Sequence, residues 1–442
     1  MIITVVGGTG YVGLTVAVGL ASKGHLVFAV DIAKEKVEKI SKGIPIIYES
    51  GLDELLKAAL EKKKLIPTTD LAGSVQKSDV SFICVGTPSR QDGSIDLTQV
   101  EEAAKEIGNA LIGRKEYSVV TVKSTVIPGT TEELVIPNLE KFSKKIAGKD
   151  FGVCMNPEFL REGRAMNDFI SPKDQGIVIG EFDKKSGDIL YEIYKDFGAE
   201  ILRTDLSAAE LIKYARNSYL AKDISFANEV ANFCQEIGVD YLDVKRGMEM
   251  DSRIGTCGFL SAGVGFGGSC FPKDVKALVA KAKETGLKPK MLEATLDVND
   301  SQPSRIIKLT KQVIGQFRGK KIGVLGLAFK PGTDDLREAP SIKIINSFLL
   351  EGAEIFAYDP KASDKAKKIF GDKIVYVSTA EQAIISADAC VIVTEWPEFA
   401  DPRLYSKMQS KIIIDGRRVV DPGLLPTGFT YHAIGFPKPI KT

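Results

Sequence analysis

The chain of 442 residues carries 59 Lys and Arg against 58 Asp and Glu, a net charge of +1 that gives no bulk attraction to nucleic acid or to an anionic membrane. At 44% hydrophobic and 26% charged it has the make-up of a soluble globular protein, and its length suits two or three domains. Two histidines outside any motif (His25, His432) and six scattered cysteines with no Cys-x-x-Cys pair argue against a zinc site or a histidine base, and for free thiols in the cytoplasm.

Ile2 to Val6 is a short apolar run rich in β-branched residues, and it reads as a strand. Gly8, Gly10 and Gly13 follow in the spacing G-x-G-x-x-G, and the segment from there to Lys23 has helical composition. Residues 2–21 are apolar enough to imitate a signal peptide, but they lack a basic start and the glycine fingerprint accounts for them better. No other stretch approaches the ~20 apolar residues of a membrane span. Each glycine has a purpose: Gly8 makes the strand-to-helix turn, Gly10 admits a pyrophosphate, and Gly13 lets the helix pack on the strand. The phosphates would then sit on the N–H groups of a helix N-terminus. Asp31 closes a second strand, Leu26 to Val30. A carboxylate there accepts hydrogen bonds from the adenosine ribose and repels a 2′-phosphate, which selects NAD over NADP.

Strand-like and helix-like runs then alternate through 80–85, 100–111, 118–122, 152–155, 175–179 and 199–202, as in a parallel sheet covered on both faces. The stretch 207–237 has neither Pro nor Gly and predicts one long helix spanning between domains. A further helix is expected over 291–317, with Pro303 as a kink or break. At 321–327 the strand-and-turn pattern restarts, and 354–359 echoes 26–31, but the other fingerprint glycines are missing. This second unit reads as a mononucleotide-binding fold adapted to another ligand. The expected class is α/β, with two Rossmann-like doubly wound domains joined by a long central helix. The expected divisions are 1–203, 204–300 and 301–442, with substrate in the cleft between the two α/β domains.

The run Gly267-Gly268-Ser269-Cys270-Phe271-Pro272-Lys273-Asp274 sets a thiol after small residues that leave its sulfur approachable. Lys273 favours the thiolate, which is the nucleophilic form, and if 271–274 open a helix, Asp274 lies one turn past Cys270. The other cysteines read differently. Cys84, Cys154 and Cys390 sit in apolar runs as small buried hydrophobes, Cys234 faces a helix packing surface, and Cys257 lies in a Gly-flanked loop with no assignable role.

Ordered motifs accompany this run: Lys123-Ser124-Thr125, Asn156 to Gly163, Ala209 to Lys213 with Asn217, Arg253, Phe259 to Asp274, Ala328-Phe329-Lys330 with Arg337, and Asp415 to Arg418. With the N-terminal fingerprint they make the chain, from Gly7 to about Asp421, resemble the UDP-glucose/GDP-mannose dehydrogenase family of nucleotide-sugar 6-dehydrogenases. The resemblance implies two successive oxidations at one carbon. Hydride transfer from the sugar C6 alcohol to NAD gives an aldehyde, Cys270 adds to form a thiohemiacetal, a second NAD accepts another hydride, and the thioester is hydrolysed.

The roles it implies are as follows. Lys213 and Asn217, a helical turn apart, stabilise alkoxide charge at the reacting oxygen. Asp274 and Thr125 hold the hydrolytic water, Glu162 is acid or base in the final hydrolysis, and Glu158 lies close to substrate. Glu158 and Glu162 are expected to share i, i+4 helical geometry, and on residue pattern alone they equally read as a helix-opening pair. Phe259, Leu260, Ser261, Ala262 and Gly263 belong to a loop over the substrate diphosphate, with Gly267 beyond it, and Lys330 and Arg417 contact substrate from the second α/β unit. Gly8, Gly10, Tyr11, Val12, Gly13, Asp31, Lys36, Thr87, Thr125, Glu162, Lys273 and Arg337 make up the implied NAD-binding set. Arg253 is implied to reach a neighbouring subunit's active site, which makes a homodimer an expectation.

Two departures stand out against the family pattern: Gly86 where many relatives carry proline, and an extra residue through Thr256-Cys257-Gly258. Ser269 and Lys273 resemble the UDP-glucose and GDP-mannose types, and the lead-in from Phe259 favours UDP-glucose over GDP-mannose or a UDP-N-acetylhexosamine. A single-hydride dehydrogenase of the hydroxy-acid type would have no use for Cys270. A catalytically silent nucleotide-sugar sensor would be expected to lose Cys270, Lys213 or Asp274.

Overall fold

A short β-branched run buried on both faces makes a central parallel strand, and β1 (Ile2–Val6) is one. The computed structural model describes residues 1–255, 258–437 and 440–441. Thr256 and Cys257, in the loop with the extra residue, lie outside the described residues. By packing, the chain forms two compact units, 1–216 and 217–442.

In the first unit β1 is flanked by β2 (Leu26–Val30), β3 (Leu65–Thr68), β4 (Val80–Ile83), β5 (Val119–Val122), β6 (Gly152–Met155), β7 (Ile177–Glu181) and β8 (Ile201–Thr204). Their order is β3-β2-β1-β4-β5-β6-β7-β8. All neighbours are parallel except β6 and β7. The order reverses between β1 and β4, and in open α/β sheets ligands bind outside the carboxyl ends of the strands at such a switch point. The fingerprint helix, Tyr11–Ser22, starts there.

The second unit repeats the plan with β9 (Lys321–Leu325), β10 (Glu354–Tyr358), β11 (Val375–Tyr376), β12 (Ala389–Ile392), β13 (Ile412–Asp415), β14 (Thr430–Ala433) and β15 (Ile440–Lys441). Its order, β11-β10-β9-β12-β13-β14-β15, reverses between β9 and β12, and only the β14–β15 pair is antiparallel. Two Rossmann-like sheets were expected and two are present. The long helix is also present, from Leu206 to Ile237, and the boundary between the units falls inside it.

Two local expectations are corrected. The helix Lys290–Ile314 continues through Pro303, so the break, one of the two outcomes expected there, is absent. Proline there removes one hydrogen-bond donor, at a cost of about 3 kcal/mol. Burial of Gln302, Pro303, Ile306 and Leu309 along the same stretch, with Gln302 bonded to Asn232 at 3.0 Å, offsets it. Residues 156–161 are not helical, so Glu158 and Glu162 share no helical turn; the helix begins only at Ala165. Pro157 biases the residue before it toward extended backbone. Side chains then capture the N–H groups a helix would use, Glu158 taking Leu160 N–H at 2.6 Å and Asp168 taking Arg161 N–H at 3.0 Å.

The start of the long helix anchors another element. Glu210 is fully buried and accepts hydrogen bonds from the N–H of Gly129 (2.6 Å) and from the N–H (2.8 Å) and hydroxyl (2.6 Å) of Thr131, at the head of the helical stretch 131–143. Burial pushes its carboxyl up to about 7, against the pull of those donors. The folded state therefore keeps a proton that the unfolded chain releases between pH 4.5 and about 7. Stability from this group is greatest below that window and declines as pH rises through it. Urea unfolding of wild type and Glu210→Gln across the window should give a flatter profile for the variant; parallel profiles would remove Glu210 from the account. In the fingerprint, a Cβ on Gly13 would overlap the carbonyl oxygen of Gly7. Gly13→Ala should therefore cost about 1–3 kcal/mol, read as a lowered Tm, and an unchanged Tm would contradict this packing.

Candidate active site

In the first unit the fingerprint closes on backbone alone. Gly10 N–H bonds Gly7 carbonyl at 2.9 Å, Gly8 N–H bonds Val30 carbonyl at 2.8 Å, and no side chain caps the fingerprint helix at Gly10. An uncapped helix N-terminus at a switch point is what a pyrophosphate needs. Asp31 follows β2, its carboxylate accepting from the N–H (3.3 Å) and hydroxyl (2.5 Å) of Thr9 and from Ala33 N–H (3.0 Å). The acid is thus fixed at the lip of the glycine turn, where it suits a ribose, and these residues fit NAD. Lys36 is exposed on the next helix, Lys34–Ser41. Thr87 donates its hydroxyl to the Thr125 carbonyl at 2.9 Å, which joins two of the expected cofactor contacts. Gly86, the departure from the family pattern, gives its N–H to Gln99 at 3.2 Å.

The same unit holds a buried charged cluster. Lys213 Nζ meets Glu158 Oε1 at 2.8 Å, with side chains only 3% and 7% exposed. Burial alone would raise the Glu158 carboxyl. The charge and hydrogen bond of Lys213, the Leu160 N–H and Lys123 outweigh burial and hold it below the usual range. Lys123 is buried, and its Nζ bonds the side-chain oxygen (2.7 Å) and the carbonyl (3.2 Å) of Asn156. Burial brings its ammonium down to about 8, only partly offset by Cys84 and Glu158. Burial likewise raises the Cys84 thiol to about 12, which suits the inert hydrophobe expected there. Glu162 is half-buried in the turn 162–164.

In the second unit Cys270 is the N-cap of the helix Phe271–Glu284, and Asp274 N–H bonds its carbonyl at 2.8 Å. The helix expected from 271 onward is therefore present, and its N-terminus favours negative charge on a sulfur. Asp274 is 1% exposed, and both its oxygens are occupied, one by Asn217 Nδ2 at 2.6 Å and the other by Lys273 Nζ at 2.7 Å. Lys273, expected as a cofactor contact, thus has its ammonium on Asp274. Asn217 lies on the long helix four residues after Lys213.

The loop after Phe259, expected over the substrate diphosphate, is anchored by side chains from three helices. Tyr241 hydroxyl bonds the Leu260 carbonyl (2.7 Å), Asn228 takes Gly263 N–H (2.7 Å), and Asn299 takes Phe266 N–H (2.7 Å). A Cβ on Gly263 would press on Arg417 and one on Gly267 on the Glu338 carbonyl, so close packing explains both glycines. Ala262 is buried beside them and Ser261 is exposed. Arg417 follows β13, its guanidinium bonded to the carbonyls of Val393 (2.9 Å) and Gly265 (3.1 Å). Lys330, half-buried, follows β9, so both expected substrate contacts sit at the carboxyl edge of the second sheet. Arg337 forks onto Asp335, and Arg253, 87% exposed, pairs with Asp251.

Sequence reasoning missed Glu49, Asn156 as a hub, and the loop anchors Asn228 and Asn299. An acid closing the apolar stretch Ile46-Ile47-Tyr48, and asparagines inside otherwise apolar helix faces, were the available signals. Asp359 echoes Asp31 in sequence but is spent internally, accepting from the N–H of Leu327, Ala328, Lys361 and Ala362 and from Trp396 Nε1.

Comparison with known proteins matches this arrangement along its length. Residues 1–198 match the NAD binding domain of the UDP-glucose/GDP-mannose dehydrogenase family, 207–301 its central domain and 323–422 its UDP binding domain. The chain is 42% identical over 420 residues to UDP-glucose 6-dehydrogenase of Haloferax volcanii, covering 93% of this chain and 96% of that one. It is 41% identical to a Bacillus subtilis UDP-glucose 6-dehydrogenase over 97% of this chain and 92% of that one. The solved structure of a UDP-glucose dehydrogenase from Pyrobaculum islandicum superposes with a TM-score of 0.90 at 38% identity, over 98% of this chain and 97% of the other. With glycine turn, acid, cysteine helix and all three domains in place, the chain belongs to the UDP-glucose/GDP-mannose dehydrogenase family and is an NAD-dependent nucleotide-sugar dehydrogenase.

Proposed function

We propose that the chain oxidises the C6 alcohol of UDP-glucose to the carboxylate through a covalent intermediate on Cys270. The observation that carries the reading is the cysteine at a helix N-terminus, one turn before a buried Asp274 held by Asn217 and Lys273. NAD would supply the hydride acceptor, one molecule for each of the two oxidations. The protein's own groups supply the rest. As the first hydride leaves C6, the hydroxyl proton is released to water and an aldehyde remains. The Cys270 sulfur adds to the aldehyde carbon, and the thiohemiacetal oxygen supplies the electron pair that expels the second hydride. Water then adds to the thioester carbonyl, the carbon–sulfur bond breaks, and the thiolate is returned. Lys213 and Asn217 steady the oxygen charge at each stage, and Glu162 and Thr125 serve the attacking water. Asp274, with both oxygens already engaged, acts mainly by holding Asn217 and Lys273 in place.

UDP-glucose is favoured by Ser269 and Lys273 flanking the cysteine and by the similarity to proteins named for that substrate. A homodimer built on the central stretch 204–300 is part of the reading. Its support is an exposed apolar groove in which Tyr219, Phe226, Ile254 and Met291 stand beside Arg253.

Incubation with UDP-glucose and excess NAD should yield two NADH per sugar consumed, and Cys270→Ser should lose complete turnover. One NADH per sugar, unchanged in the variant, would make this a single-hydride alcohol dehydrogenase. Turnover with GDP-mannose or a UDP-N-acetylhexosamine in place of UDP-glucose would keep the chemistry and overturn the sugar.

A further inference from the structure

Glu49 lies in the loop between the helices Lys34–Ser41 and Leu52–Glu61, outside every motif above, yet it is only 4% exposed. A carboxylate buried to that degree must have its charge answered. Three donors do so. The Tyr11 hydroxyl and Gly163 N–H (2.6 Å) share Oε1, and Ala165 N–H reaches Oε2 at 2.9 Å. Tyr11 is the first residue of the fingerprint helix, and Ala165 is the first residue of the helix that follows the turn carrying Glu162. Gly163 sits at φ +84, a left-handed conformation that other residues adopt only with strain, so the turn reverses where Glu49 grips it. Burial, and then the hydrogen bond and charge of Glu49, raise the Tyr11 phenol far above its ordinary value, which keeps it a donor to the carboxylate.

From this we infer that Glu49 is a positioning residue for thioester hydrolysis: it fixes the 162–165 turn against the cofactor-binding helix and so sets where the Glu162 carboxyl stands. The inference rests on the reading above that Glu162 serves the attacking water. Core packing alone does not account for Glu49, since an apolar residue filling the same space would orphan the Gly163 and Ala165 N–H groups. Geometry is what such a residue supplies. A displacement of about 1 Å at a reacting group can cost about 100-fold in rate; Tyr11 and Glu162 also belong to the implied NAD-binding set, so any loss of NAD affinity is met by saturating NAD and hydrolysis is the step left slow.

The test compares wild type, Glu49→Ala, Glu49→Gln and Glu162→Gln, using UDP-glucose and NAD. Rapid mixing reads NADH per subunit in the first turnover, and intact mass spectrometry after acid quench reads the acyl group held on the protein. In Glu49→Ala a burst of two NADH per subunit should persist, steady turnover should fall by about 100-fold, and the acyl adduct should accumulate as it does in Glu162→Gln. Glu49→Gln keeps an oxygen for Tyr11 and Gly163 but turns its amide toward Ala165 N–H, and should fall between wild type and Glu49→Ala. If burst and steady rate in both Glu49 variants decline together with no adduct, Glu49 is structural and the inference is overturned. If Glu162→Gln itself holds no adduct, the assignment of Glu162 fails and takes this inference with it, with Glu49 not at fault.

Discussion

A carboxylate taken out of water must be met by donors or by opposite charge, and the candidate site is organised by that constraint. The chain buries Glu158, Asp274 and Glu49 almost completely. Each has a different answer: an ammonium for Glu158, an amide with an ammonium for Asp274, and a phenol with two backbone N–H groups for Glu49. In the proposed function, the answering groups are residues given a role in the chemistry or segments that carry such residues. Holding the charge and placing the catalytic group are therefore one structural act. Removing one partner of a buried pair typically costs about 3–5 kcal/mol, so these positions tolerate little drift.

The same economy recurs between the two Rossmann-like units. Both sheets place an acid after the second strand of the switch, Asp31 in one and Asp359 in the other. Asp31 steadies the glycine turn through Thr9 and Ala33. Asp359 is saturated by four backbone N–H groups and an indole, and serves to hold its own loops. One topology thus supports a cofactor site in the first unit, while in the second the ligand-facing candidates shift to Lys330 and Arg417 at the ends of β9 and β13.

Much of this was legible in the sequence because it rests on local rules. Strand–glycine–helix spacing, the Pro- and Gly-free run before Ile237 and the cysteine run each encode their own geometry, and each takes the form expected. The failures share a cause. Pro303 was read as a kink or break because proline is costly in isolation, yet the helix is not broken there, since tertiary burial along it outweighs one lost donor. Glu158 and Glu162 were read as helical because spacing alone cannot reveal that side chains of Glu158 and Asp168 take the local N–H groups. Glu49 left almost no trace, since its partners lie 38 to 116 residues away. Long-range hydrogen bonds to a lone acid carry no periodic signal.

The central claim is that the buried Glu158–Lys213 pair is held by mutual charge and is not two independently tolerated residues. A double-mutant cycle with Glu158→Gln, Lys213→Met and the double variant, read by urea unfolding, addresses it directly. The account predicts that each single variant, left with a buried charge that has lost its paired opposite charge, is less stable than the double, with a coupling above about 1.5 kcal/mol. Effects that add to within about 0.5 kcal/mol would contradict it, and would mean that the site is not organised by answered charge.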